Sequence, residues 1–142
     1  MWANFGGMPK LLKFLTAHAA CCLIFFVISV IPIDSYAIQG RHVTYAEWWS
    51  SGAGVFASLI GLVGPFVAWA LASKRPYARA VYLGFLALAF VAPCPFFGML
   101  VYVLPGLLVV GVGALYMYRW QGVQAYFAPN NSVRDFRSIP GA

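Results

Sequence analysis

Nearly every basic residue of this chain falls on one side of a membrane if its four long apolar stretches each cross the bilayer. The stretches run from about Leu11 to Ile33 and over residues 45–73, 76–92 and 98–119. Lys10, Lys13, Lys74, Arg75, Arg79, Arg119, Arg134 and Arg137 then lie together, and of the nine Lys and Arg residues only Arg41 lies opposite. Basic residues are retained in the cytoplasm during insertion, so the asymmetry predicts orientation as well as class, with both termini inside. The expected fold is all-α, a four-helix transmembrane bundle, and short connections predict up-down antiparallel order. At 63% hydrophobic and 8% charged the chain is too apolar for a soluble domain of this size, where about 25% charge is usual.

The net charge of +6 raises nucleic-acid binding, which needs a clustered basic surface. Here the positive residues mark span ends, where orientation and anionic headgroups account for them, and no nucleic-acid partner is expected. A signal peptide is the other reading of the first stretch, because Ser35-Tyr36-Ala37 has a small-x-small form. The apolar run is too long for a signal core of roughly 7–15 residues, so a retained span is expected.

Within this frame the spans have distinct ends. Span one closes at Pro32 and Asp34, and residues 34–43 form a polar outer loop. Thr44-Tyr45-Ala46-Glu47 has the form of a capping box, flanked by Val43 and Trp48 in the positions of a hydrophobic staple. A single helix two is expected from there to about Ser73, kinked at Gly64-Pro65. Pro76 suits the first position of helix three, and Pro93-Cys94-Pro95 is expected to stop it. Helix four is expected as one helix bent at Pro105-Gly106, since a start at Pro105 leaves too few residues to span. Residues 1–127 form the transmembrane domain in this reading, and 128–142 a loose polar cytoplasmic tail.

Chemistry is sparse. His18, Cys21 and Cys22 are spaced i, i+3 and i+4, which places all three on one helix face within reach of a soft metal ion. A fourth ligand is hard to find, and cysteine packs readily as a small hydrophobe, so packing is the favoured role. The acidic residues lie at helix ends or in loops, which argues against a proton-driven exporter. No CxxC, HExxH, Ser-His-Asp or phosphate-cradling motif occurs, so neither enzyme activity nor a cofactor is expected.

Small residues recur every four positions on helix two, as Ala53, Ala57 and Gly61 and as Ser50, Gly54 and Ser58. Such rows let helix backbones approach closely in lipid, either inside the bundle or against a partner. The partner surface expected from sequence joins Gly54, Ser58 and Gly61 to an outer aromatic group of Trp48, Trp49, Phe96 and Phe97. Tyr116-Met117-Tyr118-Arg119-Trp120, followed by Val123-Gln124-Ala125-Tyr126-Phe127, resembles the closing segment of small uncharacterised bacterial four-span inner-membrane proteins. The resemblance implies an inner-membrane location and four spans. The expected function is protein binding in or beside the bilayer, as an accessory subunit or as an immunity protein against a membrane-directed toxin. The competing expectation is a homo-oligomeric channel or transporter for a small solute or metal ion, built around the His18 face.

Overall fold

A computed structural model describes residues 5–33 and 35–128. The elements in order are α1 (Lys10–Cys21), α2 (Leu23–Val30), β1 (Tyr36–Ile38), β2 (Arg41–Val43), α3 (Tyr45–Ser50), α4 (Ala53–Ala72), α5 (Ala78–Phe90), α6 (Pro93–Phe96), a 3-10 turn (Leu100–Tyr102), α7 (Val103–Arg119) and α8 (Gln121–Phe127). Among the described residues four helical segments are long and apolar enough to cross a membrane: Lys10–Val30, Ala53–Ala72, Ala78–Phe96 and Leu100–Arg119. Asp34 and the polar tail beyond Ala128, with Arg134 and Arg137, lie outside the described residues.

Each span packs mainly on the next in sequence: α1 and α2 on α4, α4 on α5, and α5 on α7. Span two is the central element, with 44% of its apolar window buried, against 11% for span four. Its contact with span one is as close as helices permit. A Cβ on Gly61 would stand 2.3 Å from the Phe26 backbone nitrogen, and one on Gly64 would stand 2.4 Å from the Ala19 carbonyl oxygen. The small-residue row thus works inside the molecule, where dispersion contacts replace the hydrophobic drive that lipid does not supply.

The structure corrects one expectation about span ends, the single helix two, and refines three others. The outer loop carries a two-stranded antiparallel hairpin with Ile38 paired to Arg41. Gln39 and Gly40 form its tip at φ 52° and 79°, the doubly left-handed geometry that matches the twist of paired strands. Helix two is not continuous, because Gly52 at φ 82° separates α3 from α4. Only glycine takes that conformation without a steric penalty. Helix α5 ends at Phe90, ahead of the expected stop at Pro93, and Pro93 itself opens α6, a four-residue helix that carries the apolar span to Phe96. Proline is tolerated there because its missing N–H falls in a first turn. Span four does not begin as regular α-helix. The chain passes from a 3-10 turn into α7 at Val103, so Pro105 again lies in a first turn.

The two ends of the molecule differ in chemistry. At one, Pro9 approaches Gly122, and Lys10, Leu11, Tyr116 and Trp120 line a shared depression. There α8 tucks beneath span two, with Val123 fully buried and the Tyr126 hydroxyl donating to the carbonyls of Leu71 at 3.2 Å and Ala72 at 3.5 Å. At the other end the hairpin is tied to both halves of the chain. Tyr36 donates to Ile28 O at 2.7 Å and Ile31 O at 2.5 Å, and Gln39 Nε2 donates to Phe97 O at 3.1 Å. Ser35-Tyr36-Ala37 therefore runs into an ordered strand anchored on the end of span one.

Candidate functional site

The hairpin end is capped by aromatic rings, and local sequence chemistry sets their places. Thr44 and Glu47 make the capping box: the Glu47 carboxylate accepts from the Thr44 backbone N–H at 2.9 Å, and Thr44 Oγ1 accepts from the Glu47 N–H at 3.3 Å. The Thr44 N–H, and then the Thr44 hydroxyl donating to the same carboxylate at 3.1 Å, hold the Glu47 carboxyl below its usual value. The fixed start of α3 aims its rings at the hairpin. Trp48 stacks on Tyr36 at 4.7 Å between centroids, and Tyr45 bridges Tyr36 and Trp49. Burial, and then the neighbouring Tyr45, push the Tyr36 phenol up.

Trp48 and Trp49 close over Gly54, where a Cβ would come within 2.9 Å of both rings. Their indole N–H groups and the Ser58 hydroxyl are enclosed without a hydrogen-bond partner among the described residues. Such groups typically cost about 1–3 kcal/mol each, so the cap gives up polar satisfaction for aromatic packing. A second group forms beside it. Phe56 meets Phe96 at 5.0 Å and Phe97 at 5.7 Å, and Phe96 lies over Gly52. The seven residues singled out in the sequence thus divide. Gly54 and Gly61 are filled from within, Trp48, Trp49, Ser58 and Phe97 are half-buried, and Phe96 is 59% exposed.

The His18, Cys21 and Cys22 face is split, which corrects the single-face expectation. His18 and Cys22, one turn apart, line a cleft of about 440 Å³ to which all four spans contribute. Cys21 lines a separate depression beside Pro65 and Trp69. His18 is exposed and stacks on Phe14 at 6.4 Å, while Cys22 is buried against Gly64. Among the described residues no three His, Cys, Asp or Glu side chains converge as metal ligands. All three cysteines are free.

Sequence reasoning missed the roles of Tyr36, Gln39 and Tyr126. A Gln-Gly pair between two short alternating runs was the available sign of the hairpin. The spacing of Val123, Tyr126 and Phe127 at i, i+3 and i+4 was the sign of α8. No family model matches the chain, and no match is found among curated proteins or solved structures.

Proposed function

We propose that the chain is a four-span, up-down antiparallel bundle of a bacterial inner membrane, with both termini cytoplasmic, and that it acts by binding another membrane protein. The orientation is supported by the gathering of Lys10, Lys74, Arg79 and Arg119 toward one end of the spans. The binding reading rests on the hairpin-end aromatic cap, where Phe96 stands 59% exposed on a base of Phe56, Phe97 and Gly52. Rings fixed by their neighbours lose little conformational freedom on docking, and aromatic anchors of this kind dominate binding energy. The partner is a subunit of a larger membrane complex or a membrane-directed toxin that the chain neutralises. A photo-crosslinking residue at position 96, in native membranes, is expected to give one discrete protein adduct. The same residue at the outward-facing Leu115 is expected to give lipid adducts only. Equal lipid labelling at both positions contradicts the proposal, and an adduct of twice the chain mass assigns the face to self-association.

The cleft beside His18 favours a second reading, a homo-oligomeric channel or transporter for a small solute or metal ion. Liposome flux abolished by His18→Ala and retained in Cys94→Ala would select it over the binding reading.

A further inference from the structure

At the basic end, the link between spans two and three, the end of α7 and α8 enclose a predominantly polar hollow of about 360 Å³. Lys74, Pro76, Arg79, Tyr118 and Phe127 line it. We infer that this hollow is a binding site for the phosphodiester headgroup of an anionic phospholipid.

Four observations carry the inference. First, among the described residues the two cations are held by rings. Lys74 Nζ sits 4.5 Å from the Tyr126 ring centroid, and the Arg79 guanidinium lies 4.8 Å from that of Phe127 and 5.6 Å from that of Tyr118. Rings over a guanidinium face leave its N–H edge free, and that edge matches two phosphate oxygens. Second, no described residue pairs with either cation by ion pair or hydrogen bond, and the sole described acid, Glu47, belongs to the capping box at the far end.

Third, Lys74 holds a backbone position that glycine usually takes. At φ 52° it closes span two, its N–H donating to Leu71 O at 3.2 Å while the Arg75 N–H donates to Ala70 O at 3.1 Å. This is the Schellman pattern, whose left-handed residue is most often Gly. A lysine there directs a cation into the hollow at a backbone cost. Fourth, the hollow lies where spans two, three and four end, at Ala72, Ala78 and Arg119. That is headgroup depth.

The same geometry selects against zwitterionic lipids. Lys74 and Arg79 already sit over Tyr126, Tyr118 and Phe127, so a choline or ethanolamine ammonium entering the hollow meets like charge. Arg75 stands apart, over Trp69 at 4.9 Å, and is not part of the site.

The test is native mass spectrometry of the full chain released from phosphatidylcholine vesicles containing phosphatidylglycerol. The wild type is expected to retain phosphatidylglycerol in preference to phosphatidylcholine. Lys74→Gln and Arg79→Gln are each expected to lose about five-fold in retention, the effect of one basic residue near an anionic headgroup. Arg79→Lys, which keeps the charge but loses the forked N–H edge, is expected to recover only part of it, and Lys13→Gln, a cation at the same end outside the hollow, leaves it nearly unchanged. Should Arg79→Gln fail to fold, the exposed Lys74→Gln carries the comparison alone. Equal losses for Lys13→Gln and Lys74→Gln would mean diffuse surface charge and overturn the site. Displacement of the lipid by millimolar inorganic phosphate would assign the hollow to a soluble anion and overturn the lipid.

Discussion

Where a Cβ would collide decides how single residues of this chain respond to change. Gly61→Ala must push span one off span two, because the new carbon meets backbone rather than a flexible side chain. A loss of about 1–3 kcal/mol is expected, the usual range for overpacking. Gly84→Ala, with nothing within 4 Å of the added carbon, is expected to be neutral or to stabilise by up to about 1 kcal/mol. Reversible unfolding in detergent checks both. Lys74→Gly separates two roles: it relieves a left-handed backbone, so thermal stability holds or rises, while phosphatidylglycerol retention falls as in Lys74→Gln. At this scale the Thr44–Glu47 box was legible because its bonds are local. The small-residue row was legible as a close-packing face, but which neighbour fills it depends on span one. His18, Cys21 and Cys22 were misplaced because an i+3 and an i+4 neighbour can fall on opposite flanks of one contact line.

Elements of this molecule are bounded by proline and glycine chemistry more finely than hydropathy reveals. The apolar pattern located all four spans, yet it reads Pro93 and Pro105 as breaks or bends. Whether proline ends a helix or opens one depends on the backbone around it, and in both places the structure uses it in a first turn. The hairpin and α8 escaped for another reason: each is short and gains its stability from tertiary bonds, Tyr36 to span one and Tyr126 to span two. Tyr126→Phe is therefore expected to loosen α8, raising amide exchange at Val123–Phe127 and costing about 1 kcal/mol. The start of α3 carries a pH dependence. Glu47 binds its proton less readily folded than unfolded, so its contribution is complete above the ordinary carboxylate value and fades as pH falls from there through the lower folded value. Thr44→Ala, expected to cost about 1 kcal/mol near neutrality, should approach the wild type in melting temperature as the medium is acidified.

For the whole molecule, the four spans were legible because a bilayer demands long apolar helices with satisfied backbones. Contacts between distant parts were not. The cleft of about 440 Å³ and the basic hollow each draw residues from three or four segments, and no periodicity in one segment reports them. The aromatic cap lay between these cases, since its rings were visible in the sequence but its inward-turned tryptophans were not. The proposed orientation decides on which side of the membrane the aromatic cap and the basic hollow would stand. Labelling of single-cysteine variants in intact cells, with Cys21, Cys22 and Cys94 replaced by alanine, measures this directly. Cysteine at position 40, the hairpin tip, is expected to react with a membrane-impermeant maleimide in intact cells, and cysteine at position 76 only after lysis. Labelling of position 76 in intact cells, or protection of position 40, would contradict the account.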